Sequence, residues 1–154
     1  MSFRLSGEAR EYFRVIDDNS RTGTFETLWD KYYLCLMAGI SRQKIGKETG
    51  TEWEFFQRFI EQYRDQRYEI IAAFVAAETQ RRGIPTNETE TKNLMIELLD
   101  PESPTCLTDA GHRMMNKYAE GGFECVREEI MRPHEFDRFM LEYVRAFIKE
   151  KSPG

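Results

Sequence analysis

The sequence has few residues of the types that usually carry enzyme chemistry. Its 154 residues include two histidines and three cysteines, and none of them has a partner at the close spacing of a metal site. The GxSxG, Walker A, GxGxxG and HExxH motifs are all missing. We therefore expect no catalytic site, no cofactor and no bound metal ion.

The sequence also lacks the features of secreted and membrane proteins. Cys35, Cys106 and Cys125 are odd in number and widely spaced, which favours reduced thiols over a disulfide. There is no run of about 20 apolar residues that could span a bilayer, and the N-terminus does not resemble a secretory signal. These absences predict a cytoplasmic protein with no membrane partner.

An excess of positive charge is missing as well. The chain has 22 Lys and Arg against 27 Asp and Glu, a formal net charge of −5. A nucleic-acid-binding surface would therefore be a local basic patch on an acidic protein.

The carboxylates between residues 120 and 129 lack the ExxH pairs of a di-metal bundle. We interpret them as a solvated face paired with Arg127, Arg132 and Arg138, and we expect His112 and His134 at the surface.

Apolar residues at helical spacing are abundant, and they predict an all-α fold. Ser6 is predicted to cap a first helix over residues 7–16. Thr24 is predicted to cap a second helix, apolar on nearly every side, which ends at Gly39 and is followed by a short helix over 42–48.

The longest periodic segment follows Thr51 and predicts one long central helix over about 51–81, roughly 45 Å in length. Shorter helices are predicted over 88–99, from Thr108 with an interruption or kink at Gly121-Gly122, and from Pro133 onward. The predicted fold is a single-domain irregular bundle of roughly six to eight helices over residues 1–150, with 151–154 as a disordered tail. A boundary near Gly83 is the alternative, although neither half would bury much surface alone.

Residues 34–50 have the pattern of a helix-turn-helix element, with an apolar helix, a turn at Gly39 and a short second helix. In this interpretation four polar side chains would face DNA, and they are Arg42, Gln43, Lys44 and Lys47. An ordinary corner between two helices is the alternative. A second candidate DNA-binding region contains Arg4, Arg21 and Lys31.

Large aromatic side chains are the other candidate functional group. Those near residues 53–59 lie beside Arg58, Arg64 and Arg67, an arrangement that would also suit stacking on bases. Their helical spacing favours packing instead, with the arginine stems covering apolar surface. Residues proposed for an apolar protein interface are Trp53, Phe56, Phe59, Tyr63, Phe139, Tyr143 and Phe147.

The first quarter of the chain resembles the opening of the DndE family. The residues that carry the resemblance are Phe3-Arg4-Leu5-Ser6, Ala9, Arg21-Thr22-Gly23, Lys31-Tyr32 and Leu34-Cys35-Leu36. DndE proteins belong to the bacterial DNA phosphorothioation and phage-defence systems. The resemblance implies a small helical protein that binds DNA as an oligomer, and it covers roughly the first 40 residues.

Together these observations predict a non-enzymatic helical interaction and assembly module. We expect protein partners or self-association, in a prokaryotic DNA-modification or phage-defence complex. The alternative function is helix-turn-helix-type DNA binding through residues 34–50, so DNA remains a candidate partner.

Overall fold

Helices dominate the computed structural model, which describes residues 2–85, 87–131 and 133–149. Within them the chain is a single mostly α-helical domain, as predicted, with one small antiparallel sheet. The helices are α1 (Gly7–Asn19), α2 (Leu28–Arg42), α3 (Glu61–Arg64), α4 (Arg67–Arg82), α5 (Glu88–Leu98), α6 (Asp109–Glu129) and α7 (Phe136–Tyr143). The strands are β1 (Phe3–Arg4) and β2 (Glu54–Phe56), and a π-helical turn, Val144–Ile148, follows α7. No helix of the described residues has the length and apolar character needed to cross a membrane.

The prediction of one long helix over 51–81 is wrong. That segment contains a 3-10 turn at Thr51–Trp53, then β2, then the single-turn α3, and only α4 is a long helix. Strand β2 pairs with β1, so that Phe3 lies opposite Phe56. Both strands are too short to show the alternating pattern of a β-strand. The aromatic residues between 53 and 63 happen to have helical spacing, and this spacing led to the wrong prediction.

The centre of the fold is instead the crossing of α2 and α6. A Cβ atom added to Gly122 would lie 1.6 Å from the carbonyl oxygen of Cys35, and one added to Gly39 would lie 2.0 Å from that of Tyr118. These glycines therefore allow two helix backbones to touch. The predicted stop at Gly39 is wrong, because α2 continues to Arg42. Of the interruption or kink predicted at Gly121-Gly122, the interruption is wrong, because α6 runs through both glycines.

Helix starts follow local capping chemistry. The predicted caps Ser6 and Thr108 are confirmed, since each side chain accepts a hydrogen bond from the backbone of its helix. Helix α2 begins after Thr27 rather than Thr24, because Thr27 and Asp30 form a reciprocal capping box. Helix α7 begins at Phe136, later than predicted. The predicted disordered tail, 151–154, lies outside the described residues.

Candidate functional site

The predicted helix-turn-helix element does not form. Gln43 ends α2 in the left-handed conformation, with φ of 49°, and residues 44–50 contain no helix. This segment instead lies against α6, where the backbone N–H of Gly46 donates to the carbonyl oxygen of Lys117 at 2.8 Å. The segment has no recognition helix that could enter a major groove.

The side chains expected to face DNA in that element mostly contact the protein itself. Arg42 pairs with Glu129 at 2.7 Å, and Lys44 pairs with Glu124 at 3.4 Å, so both cations fasten the end of α2 to α6. Gln43 forms a hydrogen bond with Gln80. The fourth residue, Lys47, is exposed.

The second candidate DNA-binding region is also dispersed. Arg4 is buried and donates to the carbonyl oxygen of Thr49 at 2.6 Å and to Glu54 at 3.2 Å. Lys31 pairs with Asp17 at 2.7 Å. The side chain of Arg21 is exposed, on the loop that follows α1. These three residues do not form a basic patch.

His112 is buried, contrary to the expectation of a surface histidine. Its Nε2 lies 2.7 Å from the Thr105 hydroxyl, whereas Nδ1 is buried without a hydrogen-bond partner among the described residues. Burial, reinforced by the positive charge of Arg4, lowers the pKa of His112 to about 4. The folded protein therefore keeps this imidazole neutral at pH values where it would be protonated in the unfolded chain. His134 is exposed, as expected.

This histidine predicts a loss of stability in mild acid. Unfolded histidine takes up a proton below a pKa of about 6.5, whereas folded His112 does so only near 4. The free energy of unfolding should therefore fall as pH drops through this window, by about 2 kcal/mol between pH 7.5 and pH 5. Urea denaturation at the two pH values, compared between the native chain and His112→Gln, measures this contribution. An equal pH dependence in both proteins would contradict it.

Two glutamates of the helices are buried, and their environments differ. Glu78 has no exposed surface, and it accepts hydrogen bonds from Arg81 at 2.7 Å and from the Tyr118 hydroxyl at 2.9 Å. Burial alone would raise the pKa of Glu78, but these bonds and those from Arg82 lower it. Glu78 thus acts as an ionised link between α4 and α6.

Glu120 is also buried, so the interpretation of a fully solvated face is wrong at this position. Burial raises its pKa, with Glu124 and Glu8 acting in the same direction. The expected arginine pairings differ as well: Arg127 pairs with Glu8 and Arg138 with Glu142, while Arg132 lies outside the described residues. Among the described residues, no three His, Cys, Asp or Glu side chains lie close enough to hold a metal ion.

The aromatic residues proposed for a protein interface divide into two groups. Phe59, Phe139 and Tyr143 lie in the hydrophobic core and are at most 6% exposed. Trp53, Tyr63 and Phe147 are half-buried, and the Phe56 side chain is 42% exposed. These four residues remain candidates for surface contacts.

An apolar groove lies between α2 and the C-terminal part of the chain. We call it the C-terminal groove, with a volume of about 330 Å³. Its apolar lining comes from Tyr33, Leu34, Met37, Ile40, Met140, Tyr143, Phe147 and Ile148. At its edge Ile148 is 64% exposed. The sequence-based interface prediction included Tyr143 and Phe147 of this lining but not α2 as the opposite wall, because α2 was predicted to be a buried central helix.

Positive charge lies beside the C-terminal groove. Arg145 and Lys149 are exposed, and neither forms an ion pair with another described residue. Arg42 lies with its guanidinium 4.8 Å from the centre of the Phe147 ring. Arg42 is neutralised by Glu129, so the unpaired positive charge next to the groove residues in the chain comes from Arg145 and Lys149. Apolar walls with such cations nearby suit an amphipathic segment with acidic flanks.

Comparison with known proteins adds no functional information, because no protein-family model, curated protein or solved structure matches the chain. The resemblance of its first quarter to the DndE family therefore stays a prediction.

Proposed function

We propose that the chain is a non-enzymatic assembly module that binds a second copy of itself through the C-terminal groove. The observation that carries this proposal is the exposed apolar surface at the groove, where the lining residue Ile148 is 64% exposed. Exposed apolar side chains grouped at one groove are typical of protein interfaces, whereas scattered ones are not. Burial of this surface would supply the driving force for association.

Helix α5 of another copy has the chemistry that this groove requires. Met95 and Ile96 are 44% and 65% exposed on it, so two large apolar side chains are available for insertion. Glu88 and Glu90 are exposed near its start, and neither pairs with another described residue. Their charges complement those of Arg145 and Lys149, which favours this occupant over a neutral or basic one.

Docking of α5 into the groove of a neighbour uses two different surfaces of each chain. Such a head-to-tail contact leaves one free groove and one free α5 in every dimer. Assembly therefore continues beyond the dimer, either to a closed ring or to an open chain of subunits. A module of this kind suits a scaffold rather than a simple dimeric protein.

The resemblance to DndE supports a cellular context for this module. We propose that it works in the cytoplasm, in a prokaryotic DNA-modification or phage-defence complex. Sulfur-modification or nuclease genes beside the gene for this chain would support that context, and their absence in several genomes would count against it. The assembly proposal itself does not depend on this result.

Light scattering on a size-exclusion column tests the assembly. The native chain should exceed the monomer mass of 18.3 kDa at micromolar concentration, and its mass should rise with concentration. Ile148→Glu places a carboxylate at the groove and should shift the chain towards the monomer, as should Ile96→Glu in α5. Met131→Glu is the matched control, because Met131 is 75% exposed but outside the groove lining. A native chain that stays monomeric, or an equal effect of all three substitutions, would overturn the proposal.

A further inference from the structure

A second groove of the protein is lined by three arginines together with apolar side chains. It has a volume of about 710 Å³, and it lies between β2, α3 and the start of α4. We call it the arginine groove; its charged lining residues are Arg58, Arg64, Arg67 and Glu61. Phe56 and Pro104 also line it, so that an apolar ring and a loop close to α6 border the charged surface.

The cations of the arginine groove are not neutralised by carboxylates. Arg58, Arg64 and Arg67 form no ion pair with another described residue, whereas most arginines on the helices of this chain do. Arg67 is held in place without losing its charge, since it donates to the Arg64 carbonyl oxygen at 2.5 Å and to the Tyr68 hydroxyl at 2.9 Å. Three unpaired arginines against one carboxylate make a local positive field on a protein of net charge −5. The groove therefore favours an anionic ligand.

An aromatic ring beside these cations narrows the class of ligand. Phe56 is 42% exposed, and its backbone is fixed because β2 pairs with β1. Guanidinium groups bind phosphates through parallel hydrogen bonds, and an exposed ring next to them can stack on a base. An acidic peptide offers carboxylates but needs no ring to stack on. A concave groove accepts a single strand, whereas a duplex is read by an element that protrudes.

We propose that the arginine groove binds single-stranded nucleic acid, with phosphates on Arg58, Arg64 and Arg67 and one base on Phe56. A smaller cavity of about 310 Å³ continues from it, because Arg58 and Pro104 line both. The strand then passes from the arginine groove over Arg58 towards Thr105. This site uses none of the residues of the C-terminal groove, so it stands independently of the proposed assembly.

Fluorescence anisotropy with a short oligothymidylate tests the site in the full chain. Contacts with three phosphates predict a salt slope of about −2, which corresponds to roughly 20-fold weaker binding at 200 mM than at 50 mM salt. Arg58→Gln and Arg64→Gln should each weaken binding and make the slope shallower by about 0.7. Phe56→Leu keeps an apolar side chain but removes the ring, and it should weaken binding on the order of tenfold without changing the slope.

Arg113→Gln is the matched control. Arg113 is an exposed arginine of α6 that forms no ion pair with another described residue and lies outside the arginine groove. Its substitution should leave both the affinity and the salt slope nearly unchanged. The proposal is overturned if the oligonucleotide does not bind at low salt, or if Arg113→Gln acts as strongly as the groove substitutions. Binding of a polyglutamate peptide as tight as that of the oligonucleotide, with Phe56→Leu silent, would also overturn it.

Discussion

Phe139→Ala is expected to lower the free energy of unfolding by about 4 kcal/mol. Phe139 is 1% exposed, and its ring centre lies 5.7 Å from that of Phe13 and 5.8 Å from that of Phe25. Removing the ring takes away its burial and leaves a cavity among aromatic neighbours from α1 and from the loop before α2, which cannot close around it. Urea denaturation followed by circular dichroism measures the loss.

Leu141→Ala provides the comparison within the same helix. Leu141 is 68% exposed, so its substitution should change the free energy of unfolding by less than about 0.5 kcal/mol. The two substitutions together test whether α7 turns Phe139 towards the core and Leu141 towards solvent. Similar effects of both would contradict this orientation of α7.

Gly122→Ala is expected to destabilise the protein by about 3 kcal/mol. Helix propensity alone would predict the opposite, since alanine is favoured over glycine in a helix interior by about 1 kcal/mol. The new Cβ atom would lie 1.6 Å from the Cys35 carbonyl oxygen, so α2 and α6 would have to move apart along their whole contact. Thermal and urea denaturation should both show the loss.

Gly83→Ala separates this steric effect from the general cost of replacing glycine. Gly83 ends α4 with φ of 64°, and a Cβ atom there would meet nothing within 4 Å. The expected loss is about 1 kcal/mol, from the left-handed backbone conformation alone. A Gly122→Ala protein as stable as the native chain would show that α2 and α6 do not touch at this glycine.

Features that depend on neighbouring residues were predictable from the sequence. The cap at Ser6 and the start of α6 after Thr108 follow from one side chain and the backbone a few residues away. Amphipathic spacing likewise predicted α1 and α5 close to their observed limits. These elements need little information from the rest of the fold.

Features that depend on distant residues were not predictable. Residues 54–60 do not continue into one long helix, because β2 pairs with β1 and because the ring of Phe59 packs against Trp29 at 5.1 Å. Gly122 looked like a helix breaker, since glycine has low helix propensity, and its role as a contact point depends on where α2 passes. Contacts with distant residues therefore determine both the conformation around β2 and the role of Gly122.

The candidate sites show the same division. Arg58, Arg64 and Arg67 lie near aromatic residues in the sequence. On the predicted helix over 51–81 the three arginines would point in different directions around the helix axis. In the structure the segment from β2 through α3 to α4 changes direction, and it brings the three arginines to one groove. Arg42 and Lys44 looked free in the sequence, yet each has an acidic partner on α6, more than 75 residues away.

Mixing two assembly-defective variants tests the central claim most directly. Ile148→Glu has a damaged C-terminal groove but an intact α5, whereas Ile96→Glu has a damaged α5 but an intact groove. A head-to-tail contact predicts that each variant alone is monomeric, and that their equimolar mixture forms a dimer by light scattering. A mixture that stays monomeric, while the native chain assembles under the same conditions, would contradict the docking of α5 into the groove.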